Sequence, residues 1–201
     1  MTYHETIHTL SLDFWAATLP RLFQTFTTEA PALGWAELTQ RLERLHPQLL
    51  AQLSDAQAAQ LAQLGEELEQ ATQVGMAYAA CQGMVLVSAD SPADASQLLE
   101  HRLFRLDANC PAAYRQAVLA KEALENSLLE GLAPELLPLA EELLAYADDA
   151  HRLACYAAAY LGFCLFAQPL AQEQPKLLPG LQQRGRTLCS QLGLPYLNTF
   201  K

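Results

Sequence analysis

One isoleucine, Ile7, and four valines, Val74, Val85, Val87 and Val118, are all the β-branched aliphatic residues in this chain of 201. Such side chains suit a pleated, half-buried surface, so a substantial sheet has almost nothing to be built from. In their place stand 40 leucines and 34 alanines, both strong helix formers. Collagen-like, disulfide-scaffold and disordered chains have composition signatures that this one does not match. The expected fold is all-α: a single-domain helical bundle of about seven or eight helices over 1–201, with roughly 170–201 a Pro- and Gly-punctuated segment packing on it.

Apolar residues recur at three- and four-residue steps through most of the chain. Leu12, Trp15, Leu19, Leu22 and Phe26 form one stripe, with Ser11 as its N-cap and Pro20 as a kink. Trp35, Leu38, Leu42, Leu45 and Leu49 form the next, which should be interrupted near His46-Pro47. Ser54-Asp55 followed by Gln57 reads as a capped start for a helical pattern over 55–87, divisible at Gly65. Ser91, Pro92 and Asp94 then open a helix to about Asp107 with Leu99, Leu103 and Leu106 on its inner face. Further helices are expected from the turn at Asn109-Cys110-Pro111 to Gly131, from Pro134 to about Ala167, and over 181–192.

Two segments, 71–89 and 153–172, carry no charge for about the length of a membrane-spanning helix. Their richness in Ala, Gly, Gln, Cys and Tyr fits buried helices at the centre of a bundle better than lipid-facing ones. Gly75, Ala79 and Gly83 share a face in the first, and Ala154, Ala158 and Gly162 share one in the second. Rows of small residues let backbones approach closely, so helices near 66–87 and 135–167 are expected to touch at the centre. The same rows suit packing between copies of the chain, which leaves room for a homo-oligomer.

Twelve Lys and Arg stand against 22 acids, for a net charge of −10. That balance disfavours nucleic acid and anionic membrane surfaces and suits a protein partner with a basic face. The five cysteines are odd in number, contain no C-x-x-C pair and fall mostly within apolar helical stretches. They are expected to be reduced core residues of a cytoplasmic protein. The first twelve residues offer neither a basic nor an apolar region of the kind a secretory signal needs.

His4-Glu5-Thr6-Ile7-His8 resembles the H-E-x-x-H pattern of zinc metallopeptidases, in which two imidazoles one helical turn apart share a metal and the Glu polarises water. Only three residues precede it, where a cleft and a third ligand would be needed. A second metal candidate is acidic: Glu122, Glu125 and Glu130, then Glu141, Glu142, Asp148 and Asp149, resemble a carboxylate cage for Mg²⁺. Diphosphate chemistry on helical scaffolds uses E-E-x-x-E with E-x-x-D, or D-D-x-x-D. Neither of the first two occurs, and Asp148-Asp149 is completed by Arg152 rather than Asp. Helical phase turns these acids away from a stripe of Leu136, Leu139, Leu143, Ala150 and Ala154.

The expected function is therefore non-enzymatic: a cytoplasmic helical protein-binding module, such as an adaptor, a dedicated chaperone or an inhibitor of a basic partner, without a cofactor. Its binding face would comprise Glu141, Glu142, Asp148, Asp149 and His151, the last an imidazole that neighbouring acids could hold protonated. Between Lys121 and Asp149 there are eight acids and one base, whereas 176–201 holds four bases and no acid. Two alternatives stand beside it: a metal-dependent hydrolase using the helical carboxylates or His4 and His8, and a pocket for an apolar small molecule beside Gly83 and Gly162.

Overall fold

A computed structural model describes residues 35–88, 97–106, 108, 110–194 and 196. The described residues hold no strand and five α-helices: α1 (Trp35–Leu50), α2 (Asp55–Ser88), α3 (Ala112–Glu130), α4 (Leu137–Glu173) and α5 (Leu178–Leu192). A π turn, Glu100–Phe104, lies between α2 and α3, and a 3-10 turn, Pro175–Leu177, leads into α5. The fold class is all-α. Both the stripe that begins at Leu12 and the start at Ser91-Pro92-Asp94 lie outside the described residues.

Cross-helix contacts fix the directions. Thr72 meets His151, and Gly83 meets Gly162 and Phe163, so α2 and α4 run parallel. Between them α3 returns the other way, with Tyr114 at His151, Lys121 at Asp148 and Leu128 at the level of Leu61, Leu64 and Leu143. The first helix packs against α4, where its Arg41 reaches the hydroxyl of Tyr146 with the guanidinium 4.9 Å over that ring. The last helix runs back along α4, and Arg184 donates to the Val87 carbonyl near the end of α2. Apolar side chains form two clusters. One gathers Leu45, Leu49, Leu61, Leu64, Leu128 and Leu143 at the start of α2 and α4; the other surrounds Ala79, Ala80, Tyr160, Phe163 and Leu188 toward their ends.

Local chemistry accounts for most helix ends. Ser54 Oγ accepts from Gln57 N at 3.4 Å while Gln57 Oε1 accepts from Ser54 N at 3.1 Å, the reciprocal box expected there. The third helix stops at Gly131 and the fifth at Gly193, which takes the left-handed φ of 67° that a side chain would resist.

The prolines required correction. Pro47 does not interrupt α1 and Pro169 does not end α4; both lie inside their helices, close to the C-terminal end. A proline there removes a single i to i−4 bond after most of the helix has formed, and flanking residues stay packed. Helix α4 begins at Leu137 rather than Pro134 because Pro138 also lacks an N–H and is accommodated in the first turn. Gly65 does not divide α2, so one helix stands where two were allowed for. It is exposed, and an added Cβ there meets nothing within 4 Å. Gly65→Ala is thus expected to raise stability by about 1 kcal/mol through helix propensity alone, measurable as a higher urea midpoint with unchanged slope.

Gly83 and Gly162 mark a seam where the backbones of α2 and α4 touch. A Cβ on Gly83 would overlap Phe163 N and the Gly162 carbonyl carbon and stand 2.7 Å from the Ala159 oxygen. One on Gly162 would overlap the Ala80 oxygen and stand 2.8 Å from its carbonyl carbon. The apolar pocket expected beside these glycines therefore has no space there.

Among the described residues, α4 is the one helix long and apolar enough to cross a membrane, with mean hydropathy 1.5 over its most apolar window. Of that window 61% is buried within the protein. All five cysteines are free. Cys110, Cys155, Cys164 and Cys189 are buried as expected, but Cys81 is exposed.

Candidate functional site: a cavity between three helices and a π turn

Halfway along the parallel pair, α2, α3, α4 and the π turn line a partly open cavity of about 160 Å³. Its apolar wall comes from Ala71, Leu103, Phe104, Tyr114 and Val118, and its polar groups are Lys121, Glu122, Asp148, His151 and Arg152.

His151 forms the inner wall. It is 9% exposed, with Nδ1 2.9 Å from Thr72 Oγ1 and Nε2 3.3 Å from the Tyr114 hydroxyl. Tyr114 stacks on the imidazole at 6.3 Å, Phe104 meets it edge-on at 6.0 Å, and Cys155 Sγ lies 3.9 Å from Nε2. Burial, reinforced by the positive charges of Lys121 and Arg152 and only partly offset by Asp148, lowers its pKa to about 4. The imidazole is therefore neutral at pH 7 and, with both ring nitrogens partnered, accepts at one and donates at the other. Burial likewise pushes the Tyr114 hydroxyl and the Cys155 thiol above their ordinary values.

Lys121 is the charged group in the core, at 7% exposure. Its ammonium reaches Glu125 Oε1 at 2.9 Å and also bonds Asp148. Burial alone would lower its pKa, but hydrogen bonds to Asp148 and Glu125 outweigh that and raise it, so the group is cationic. Burial lifts the Glu125 carboxyl above the usual range, against the pull of Lys121. Removing either partner would strand a buried charge.

The π turn supplies the lid. Arg105 N donates to Glu100 O at 3.3 Å, the wide spacing that defines it, and Leu106 beyond it has φ 48°, an uncommon conformation for leucine. Glu100 accepts from both Arg152 and the Tyr156 hydroxyl. The Arg152 guanidinium lies 4.2 Å over the Phe104 ring, a cation–π arrangement. Leu99 and Leu103 are fully buried as expected, while Leu106 is half-buried.

The five residues read as one binding face divide between two environments. Glu141, Glu142 and Asp149 are exposed on α4 and make no ion pair with the described residues. Asp148 is exposed but engaged by Lys121. His151 is not on that face: two positions past Asp149, α4 turns it inward against Thr72 and Tyr114, and it is neutral where a protonated imidazole was expected. Glu125, read as solvent-facing, is half-buried against Lys121.

Sequence reasoning passed over Thr72, Tyr114, Lys121 and Cys155. One signal was available: Tyr114, Ala117, Lys121 and Leu128 share the inner face of α3, so the only base between 121 and 149 occupies a core position. Among the described residues no three His, Cys, Asp or Glu side chains converge as a metal site; His4 and His8 lie outside them. Comparisons with protein-family models, curated proteins and solved structures found no match.

Proposed function

We propose that the protein is a non-enzymatic binding module that docks a basic protein face on the outer surface of α4. The observation that carries this reading is a continuous exposed stripe. Pro138, Glu141, Glu142, Ala145, Asp148 and Asp149 recur at helical spacing and are all exposed, and three of the four carboxylates have no cation paired to them among the described residues. In a chain of net charge −10, such a face attracts a basic partner and repels acidic ones. The free, mostly buried thiols fit a reducing compartment, here taken as the cytoplasm. Stabilised by other contacts, the face needs no cofactor.

Charge reversal tests it. Glu141, Glu142 and Asp149 are changed to Lys together, and Asp148 is left alone because it is one of the two carboxylates that hold Lys121. Partner recovery from the native cell, compared with that of the unaltered protein, should fall at least about tenfold, and the remaining wild-type complex should weaken with added salt. Equal recovery by the triple variant, at an unchanged melting temperature, would overturn the reading.

A further inference from the structure

The cavity at His151 shares Asp148 with the α4 stripe but otherwise has a lining and a chemistry of its own. Its lining carries two cations, Lys121 and Arg152, and two carboxylates, Glu122 and Asp148. The protein's own pairs leave part of each sign unused. An ammonium has three donors, and Lys121 spends two, on Glu125 and Asp148; its third is free for a group bound in the cavity that it lines. Arg152 has five donors and gives one bond to Glu100. On the other side, Glu122 is exposed and makes no ion pair with the described residues, and the Asp148 side chain is 53% exposed. Leu103, Phe104 and Val118 line the same cavity. His151 adds no charge: burial keeps it neutral, and Thr72 and Tyr114 occupy its two ring nitrogens.

We propose that this cavity binds a free amino acid with an apolar side chain, in its zwitterionic form. The carboxylate would accept from Lys121 and Arg152, the ammonium would donate to Glu122 and Asp148, and the side chain would lie against Leu103, Phe104 and Val118. An anion alone would leave Glu122 and Asp148 facing its charge without compensation. A cation alone would meet the like charges of Lys121 and Arg152 and use none of their spare donors. A molecule bearing both charges satisfies both sets. The 160 Å³ available corresponds to about five water molecules at their volume in the liquid, the scale of a small amino acid, and the pocket is open on one side, so a larger side chain can extend into its mouth.

The test uses the full chain, with L-phenylalanine as probe and two analogues that each lack one charge, phenethylamine and 3-phenylpropionate. Calorimetry, or the rise in melting temperature with ligand, should show L-phenylalanine binding about tenfold or more tightly than either analogue. Glu122→Gln, a change at an exposed side chain, should weaken L-phenylalanine about threefold to tenfold and tighten 3-phenylpropionate, whose carboxylate the Glu122 charge repels. Val118→Phe should abolish binding of all three by filling the apolar wall, and a retained melting temperature would show that the fold survives. Binding of either analogue as tight as that of L-phenylalanine overturns the zwitterion assignment. No saturation by any of the three up to about 10 mM, where even weak sites fill, overturns the site. Neither result bears on the α4 stripe, because Glu141, Glu142 and Asp149 do not line the cavity.

Discussion

Gly162→Ala is expected to destabilise the protein by about 3 kcal/mol or more, although the same exchange in an open helix position adds about 1 kcal/mol. The new methyl would overlap the Ala80 carbonyl oxygen and approach the Ala80 Cα to 3.0 Å. Backbone atoms of a hydrogen-bonded helix cannot rotate aside as a side chain can, so α2 and α4 must separate. Separation opens the apolar cluster around Ala79, Ala158, Tyr160 and Phe163, all of them buried. Gly83→Ala should behave alike, since its methyl would meet the backbone of α4. Gly75→Ala should be milder, because the nearest atoms there belong to the side chains of Tyr114, Cys155 and His151. Chemical denaturation of the three variants beside Gly65→Ala checks the order. A Gly162→Ala protein as stable as the unaltered one would show that the seam is not as tight as described.

The second large effect is on pH dependence. His151 has a pKa of about 4 in the folded protein, below its ordinary value of 6.5. Above pH 6.5 neither state binds the proton, and the stability connected with the neutral imidazole is fully present. As pH falls from 6.5 toward 4 the unfolded chain takes up a proton that the folded chain does not, so stability declines by about 1.4 kcal/mol per pH unit. Below 4 both states are protonated and the loss is complete, at about 3 kcal/mol. The groups facing the ring are Thr72 on α2, Tyr114 and Lys121 on α3, Phe104 on the π turn, and Asp148, Arg152 and Cys155 on α4. Carboxylates elsewhere titrate in part of the same window, so the readout is a difference. His151→Gln should remove most of the decline between pH 6.5 and 4.5, whatever its stability at pH 7. Superimposable slopes for the two proteins would disprove the buried, neutral histidine.

Much of the architecture was legible because helices announce themselves locally. The shortage of β-branched aliphatics excluded sheets, and the box at Ser54 and Gln57 needed only residues three apart. Pro47 and Pro169 misled because a breaker is read without its distance from the helix end; near a C-terminus the lost bond is one of few remaining. The outer acids on α4 followed from helical phase. His151 did not, since its partners come from other helices: Thr72 is 79 positions away and Tyr114 is 37 away. Spacing along one helix cannot report such a meeting. Lys121 was visible as a core position on α3, but that it would be neutralised by Asp148, 27 positions on, depends on the packing of two helices.

The parallel course of α2 and α4 also orders events in time. Lys121 and Asp148, on antiparallel neighbours, close a loop of 27 positions, whereas Thr72 and His151, across the parallel pair, close one of 79. Loop entropy rises with the logarithm of length, so the longer closure carries about 1 kcal/mol more and must wait for α3 to turn the chain back. On loop length alone, the contact of α3 with α4 at Lys121 and Asp148 is expected to close before the glycine seam. A helical protein with such a seam folds more slowly than its local helix content alone would dictate.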